Sequence, residues 1–568
     1  MILVSSTTGE GEQPENVIKF WRKLRPKSLP ADFLSSVKFA QLGLGDTNYN
    51  EFCAGPKALH RRLTELGAAC FHGPAWADDG TGLEEVVEPW LDGLWEALGS
   101  VMAAGGSQED KVISGLANIK LADTSDKAVY TLPACPKRFL AVSFTEAGDG
   151  ADTETETTEG EEGERLSYPS MRSPPVTCTV ISSELLSQPD SERSVKDYYQ
   201  LVLSSDLQYE VGDTVGVLGL NIGEEVEAIR GAVSDEDKQS WSSPCTVALS
   251  TEAPAKAKHP PHLPRVVTSL EKIFSRAVDI RAVPKKLFLR ALLEFTTDPE
   301  ERERLTVLSS KEGGQEYISQ VREPQLSLLD LLSLLPSCRP PASLLLEHLP
   351  RLLPRPYSLS SCPQSSPGEI SWLYTLVTQP RPGLTTTRLA ALQPGASLTL
   401  YHRTSHGFSP PEDPGTDFIM VAAGSGIGPF LAFLSERQAR LARGENITGQ
   451  CWLVFGCRYS DGDFLQKDLI QEWERSKVLS KLNVSFSREQ LGGPKYVQDS
   501  LRLERDALLE WLHQRSASFY VCGDAKGMAS DVKKVVGEIL TEKLGAEAGS
   551  ELFQSLVRER RYREDIWS

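Results

Sequence analysis

The stretch Asp417-Phe-Ile-Met-Val-Ala-Ala-Gly-Ser-Gly-Ile-Gly-Pro-Phe430 limits what this chain can fold into. Its first half is apolar without interruption, as a strand covered on both faces must be. Gly424, Ser425 and Gly426 then let the backbone turn sharply and approach a ligand closely. Pro429 suits the first turn of a helix, where its missing N–H costs nothing. Strand, glycine turn and helix start together aim free N–H groups and a positive dipole end at an anion such as a pyrophosphate. A tight turn that binds nothing has the same local sequence.

Three more apolar strands follow at domain-like intervals: Cys451–Phe455, Leu482–Phe486 and Ser518–Cys522. Each ends in chemically pointed residues: Cys457 and Arg458, Ser487 and Arg488, and Asp524. In a doubly wound parallel sheet the strand C-termini line one edge, so these groups are expected to share a crevice. A hydroxyl beside a guanidinium suits a phosphate ester, which favours NADPH over NADH. Lys495, Tyr496 and Gln498 lie just downstream and extend the same pocket.

Seven motifs occur in a fixed order: Arg355-Pro-Tyr-Ser358, Gly383-Leu-Thr-Thr386, the glycine turn, Phe455-Gly-Cys-Arg458, Phe486-Ser-Arg488, Tyr520-Val-Cys-Gly-Asp524 and Asp565-Ile-Trp-Ser568. This series resembles the reductase half of the diflavin oxidoreductases, the cytochrome P450 reductase family. Ile280–Arg290, Leu344–Pro350 and Lys495–Asp499 point to the branch whose electron acceptor is methionine synthase, a cobalamin enzyme. The resemblance implies FAD held by Arg355, Pro356, Tyr357, Ser358, Gly383, Leu384, Thr385 and Thr386, with Trp567 stacked over its ring as a gate. It places Ser358 near the flavin N5 and Cys522 beside the nicotinamide C4, with Asp565 stabilising positive charge on the oxidised nicotinamide. Gly424, Ser425, Gly426, Cys457, Arg458, Ser487, Arg488, Lys495, Tyr496, Gln498 and Asp524 would hold NADPH. Thr385 stands where the family has a small residue or cysteine.

Residues 1–100 alternate strand and helix as a flavodoxin-like unit does. Its loops at Thr7, Thr8 and Gly9, at Gly43, Gly45, Asp46 and Tyr49, and at Asp78 would line an FMN crevice. The strand and hydroxyl-rich phosphate loop that normally open such a unit do not precede Met1. The expectation is an N-terminally shortened unit that holds FMN weakly. Residues 101–174 are expected to form a flexible linker. Nine acidic and no basic residues lie between Glu146 and Glu164. An antiparallel FAD-binding barrel is expected from 175–223 and 351–412, interrupted by a helical connecting insertion over 224–350, with the NADPH domain at 413–568.

The net charge of −18 disfavours nucleic acid and anionic membranes as partners. No stretch reaches the ~18 apolar residues of a membrane span. Ten scattered cysteines without metal spacing suggest a reducing, cytoplasmic setting and no metal site. The whole reads as an NADPH-dependent reductase passing electrons through FAD and FMN to methionine synthase, for reductive reactivation of cob(II)alamin with S-adenosylmethionine. Three alternatives stay open: an FAD-only diaphorase, a diflavin reductase with a haem or iron–sulfur acceptor, and a non-catalytic protein that stabilises its partner.

Overall fold

The computed structural model describes residues 1–7, 13–26, 29–45, 52–78, 83–103, 130–145, 171–188, 193, 195–253, 257–379, 381–403, 407–489 and 492–567. The chain divides into two compact units, Met1–Lys127 and Ala128–Ser568. In the first, β1 (Ile2–Ser6), β2 (Lys38–Gly45) and β3 (Ala69–Asp78) form a parallel sheet in the order β1-β2-β3. Phe39 faces the helices Glu15–Leu24 and Ala54–Glu65 through Leu24, Leu59 and Leu63. On the other face Ala40 and Leu42 pack under Trp90 and Leu94 of the helix Glu84–Ala103. This two-sided burial explains the apolar run in β2. β3 runs six residues past the short strand Ala69–His72 expected from sequence. Gly73 and Pro74 read as a break there, yet an edge strand tolerates both, and the Trp90 indole donates to the Gly73 carbonyl at 2.8 Å.

The second unit opens with a difference from expectation. Within the span read as linker, β4 (Leu140–Phe144) forms a strand, and residues 130–139 lead into it without regular secondary structure. The Phe139 and Leu140 amides both donate to Glu347 Oε1, at 2.7 and 2.6 Å. The Thr131 amide donates to Glu312 at 2.6 Å. These attachments are to side chains some 200 residues away, which no local pattern reveals.

The barrel strands are β5 (Val176–Leu185), β6 (Tyr198–Ser204) and β7 (Thr214–Val217); β8 (Cys245–Leu249) lies in the insertion and pairs antiparallel with β4. The barrel resumes with β9 (Arg355–Ser358), β10 (Glu369–Thr375) and β11 (Ser397–Arg403). The six antiparallel strands follow the order β10-β6-β5-β11-β7-β9, and a bridge between Leu359 and Trp372 joins the two ends. Between the barrel's halves, the insertion packs short helices around a core that includes Trp241 stacked on Phe274 at 5.1 Å. Their starts follow side-chain capping chemistry: Asp298 accepts from the amides of Glu300 and Glu301, and Ser327 and Asp330 form a reciprocal capping box.

The last sheet is all parallel. β12 (Phe418–Ala423), β13 (Cys451–Cys457), β14 (Lys481–Phe486), β15 (Ser518–Asp524) and β16 (Tyr562–Trp567) take the order β14-β13-β12-β15-β16. Strand order therefore reverses between β12 and β15, the topological switch point where such sheets bind ligands. β16 was not expected as a strand: Tyr-Arg-Glu-Asp-Ile-Trp has no apolar run, and it forms because β15 offers an edge. No helix among the described residues is long and apolar enough to cross a membrane.

Glu347→Ala should leave two strand-entry amides without their acceptor, at about 1–3 kcal/mol. The expected readout is faster limited proteolysis within 130–145 and a lower thermal transition of the second unit.

Candidate active site

The glycine turn sits at the switch point, and its sequence has packing reasons. Gly424 adopts φ +55°, and a Cβ there would stand 2.7 Å from the Tyr198 hydroxyl. A Cβ on Gly426 would fall 2.3 Å from the Cys522 carbonyl oxygen. Only glycine lets β12 turn this close to β15. A short helical turn, Gly424–Ile427, leads into the helix Gly428–Ala442 with Pro429 in its first turn. The Ser425 and Thr375 hydroxyls are 3.2 Å apart, which ties the turn to barrel strand β10.

Parallel pairing sets Asp565 of β16 opposite Cys522 of β15. The barrel brings Ser358, at the end of β9, onto the same point: its hydroxyl donates to Asp565 Oδ2 at 2.5 Å. The Cys522 thiol lies 3.9 Å from that oxygen. Three of the four residues expected to be catalytic thus meet, although 207 residues separate Ser358 from Asp565. Burial raises the Asp565 carboxyl above the usual aspartate range, while the Ser358 hydrogen bond and Arg403 pull it down. Burial first, and then Asp565, push the Cys522 thiol well above the ordinary cysteine value, so it stays protonated. Trp567, two residues on and 42% exposed, pairs in register with Asp524.

The barrel contributes more than Ser358. Tyr357 stacks on Trp372 at 5.5 Å, and Arg355 is exposed, its guanidinium donating to the Leu353 carbonyl at 2.7 Å. Pro356 beside it is exposed. Gly383 precedes the helix Leu384–Ala391, whose N-terminus has no side-chain cap. Thr385 is buried in that first turn, and the Thr386 hydroxyl accepts from the Val377 amide at 3.2 Å. Uncapped amides near an arginine suit the diphosphate of FAD.

On the far side of the switch point the cations converge. Arg458 follows β13 and Arg488 follows β14; the amides of Ser487 and Arg488 donate to the carbonyls of Cys457 and Arg458 at 2.9 and 3.1 Å. Lys196, just before barrel strand β6, feels the charge of both arginines. Burial, then Arg458, hold its ammonium below the usual lysine range, with Arg488 adding and with Asp524 and Asp463 opposing. Lys196 is exposed at the surface, and a lysine lowered by neighbouring guanidinium charge is the electrostatic setting an anionic phosphate relieves, so these residues fit the nucleotide expected there. Sequence reading missed Lys196 because it lies in the other domain, next to no motif. Asp463 is 1% exposed, and its Oδ1 accepts the amides of Arg458 and Tyr459 at 2.9 and 2.7 Å.

Other expected residues sit differently. Cys457 is buried, its thiol pushed up by burial and directed at the Tyr459 carbonyl 3.8 Å away, so it packs rather than faces the crevice. The Asp524 carboxylate caps the next turn through the Gly527 amide at 2.6 Å. Gln498 binds Asp531 at 3.2 Å, the Tyr496 amide donates to Asp499 at 2.9 Å, and the Lys495 ammonium lies 5.4 Å from the Tyr496 ring centre.

In the first unit Gly43 and Gly45 fall inside β2, not in a loop; Cβ atoms there would meet the Trp76 ring and the Cys53 sulfur at 2.5 and 2.6 Å. The Thr7 amide donates to the Leu44 carbonyl at 3.2 Å, and Asp78 is buried at the end of β3. Thr8, Gly9, Asp46 and Tyr49 lie outside the described residues.

Because the folded state raises the Asp565 value, the folded protein holds a proton that the unfolded chain has already lost. Stability should therefore fall as pH rises from the ordinary aspartate range through the raised value. Asp565→Asn is neutral throughout, so its thermal transition should gain on the parent's across that window. A constant difference between the two would sink the assignment.

Comparison with known proteins agrees with this architecture. A flavodoxin family model matches residues 1–90, an FAD binding domain model 168–388, and an oxidoreductase NAD-binding domain model 420–534. The chain is 34% identical to methionine synthase reductase of Rattus norvegicus and 33% identical to that of Homo sapiens, over all of this chain and 93% of each relative. It is 29% identical to NADPH–cytochrome P450 reductase of Cavia porcellus, over all of this chain and 80% of that protein. The three matched domains, the switch-point crevice and the full-length likeness make the chain a member of the diflavin reductase family, on its methionine synthase reductase branch: an NADPH-dependent flavoprotein oxidoreductase that uses FAD and FMN.

Proposed function

We propose that this chain carries electrons from NADPH through FAD and FMN to methionine synthase in the cytoplasm, returning that enzyme from its cob(II)alamin state by reduction coupled to methyl transfer from S-adenosylmethionine. The observation that carries the reductase chemistry is the Ser358 hydroxyl on Asp565 beside the buried Cys522 thiol. The acceptor rests on the full-length relatives that bear that name.

The flavins, when bound, turn a two-electron donor into single electrons for the acceptor. The chain's part is positioning and charge. Arg355, Pro356, Tyr357 and the helix start at Gly383, Leu384, Thr385 and Thr386 hold the FAD diphosphate and pack its ring. Arg458, Ser487, Arg488 and Lys196 take the 2′-phosphate and diphosphate of NADPH, with Lys495, Tyr496 and Gln498 at the rim. Gly424, Ser425 and Gly426 give the backbone room for it. The Ser358 hydroxyl and Cys522 thiol flank the path of the hydride. The Asp565 carboxylate stabilises positive charge as it forms on the nicotinamide. Trp567, exposed next to this cluster, closes over the flavin and yields to the nicotinamide. In the first unit Thr7 follows β1, Gly43 and Gly45 lie in the last residues of β2 and Asp78 ends β3, the strand ends assigned to FMN.

Arg488→Gln should raise KM for NADPH by roughly 10- to 100-fold, the scale of one charge-assisted phosphate contact. The KM for NADH should hardly change. Equal loss with both nucleotides would remove Arg488 from the 2′-phosphate site.

The acceptor is tested with purified chain, inactive methionine synthase, NADPH and S-adenosylmethionine. Methionine formation together with two flavins per chain supports the full relay. NADPH-driven ferricyanide reduction with FAD alone, and no methionine formed, would leave an FAD-only diaphorase.

A further inference from the structure

Two arginines tie the helical insertion to the residues just before the expected FAD-diphosphate helix. Arg281 is largely buried and pairs in bidentate fashion with Glu225 of the helix Gly223–Ala232: Nε lies 2.9 Å from Oε2, and Nη2 2.8 Å from Oε1. Its remaining nitrogen, Nη1, donates to the Pro382 carbonyl at 2.5 Å. Arg381, one residue earlier than Pro382, donates through Nη1 to the Ser327 hydroxyl at 2.8 Å, and its Nη2 pairs with Asp330. Ser327 and Asp330 already form the capping box of the helix Leu328–Ser333, so that acceptor pair is fixed in place. The next residue, Gly383, donates its amide to the Val377 carbonyl at 2.8 Å and starts the helix Leu384–Ala391.

The geometry is that of a clamp. A helix N-terminus without a side-chain cap binds an anion only when its first amides are held in direction. Here the residues leading into those amides are tied down by two guanidinium groups: Arg281 binds the Pro382 carbonyl, and Arg381 reaches out to Ser327 and Asp330. Both grips end in the insertion, roughly 50 to 100 residues away along the chain. A planar guanidinium can hold a carboxylate and a carbonyl at once, which an ammonium cannot do with the same geometry.

We propose that the insertion sets the affinity for FAD, with Arg281 and Arg381 as positioning residues that hold the start of the helix Leu384–Ala391 in its binding orientation. The inference rests on the reading of that helix start as the FAD-diphosphate site. The insertion is then more than a spacer: its packing is transmitted to the flavin through two charged contacts that need not touch the flavin.

The test uses full-length protein stripped of flavin and titrated with FAD, following flavin fluorescence. Arg281→Met should raise the FAD Kd about tenfold and shift the thermal transition of the flavin-free protein little. Arg281→Lys should fall between the two. Glu225→Gln, remote from the helix start, should raise the Kd a few-fold through the loosened guanidinium. With saturating FAD, the KM for NADPH should match the parent. Leu384→Pro, which removes one amide at a position where proline is tolerated, separates the two readings. If Leu384→Pro weakens FAD and the Arg281 and Glu225 variants do not, the clamp is wrong and the site stands. If Leu384→Pro leaves FAD binding unchanged, the site itself is misplaced. Arg381→Met should raise the Kd likewise, and a fall in the flavin-free thermal transition with an unchanged Kd in both arginine variants would make both arginines merely structural.

Discussion

Everything at the reductase end depends on a strand that has little reason to form alone. Tyr562–Trp567 carries three charged side chains in six residues and gains its place from the exposed edge of β15. Because the pairing is parallel and in register, each residue's neighbour is fixed. Asp565 can only lie beside Cys522, and a slip of one position would send its carboxyl to the opposite face. The Ser358 contact adds a second restraint from the barrel. Two domains thus agree on one oxygen atom, and that agreement makes the crevice a site rather than a gap.

Charge in the crevice is arranged in two zones. Around Asp565, burial raises both the carboxyl and the neighbouring thiol above their ordinary values, so a cation forming beside them would favour the ionised carboxylate. Around Lys196, Arg458 and Arg488, positive charge accumulates, relieved in part by Asp463 and Asp524. A dinucleotide has the matching polarity, with a ring that becomes cationic at one end and phosphates at the other. In the proposed site the two zones would set its direction as well as its place.

Much of this was legible in the sequence. The run Phe418–Ala423, the glycines after it and Pro429 gave the parallel sheet and its crevice, because a buried strand and a tight turn leave a local chemical record. Arg458, Ser487 and Arg488 were expected just after strands, and the structure has them directly after β13 and β14. Three features were not legible, and each depends on partners far along the chain. The strand Leu140–Phe144 is held by Glu347 and β8. β16 is specified by the edge it joins. Lys196 matters through a surface it does not share in sequence. Cys457 shows the converse case: the sequence placed it just past the strand, as a crevice residue, but it is the last residue of β13, and alternation along the strand turns its thiol into the core.

The placement of Lys196 also bears on how this architecture can be recombined. It belongs to the barrel half, yet it feels the charge of the two arginines of the nucleotide half. In the proposed site, the boundary between the two sequence families would not coincide with the boundary of the pocket. A graft that moved residues 413–568 onto a foreign flavin barrel would carry two of the three cations and leave the third behind. Nucleotide preference in such a hybrid would be inherited from both parents at once.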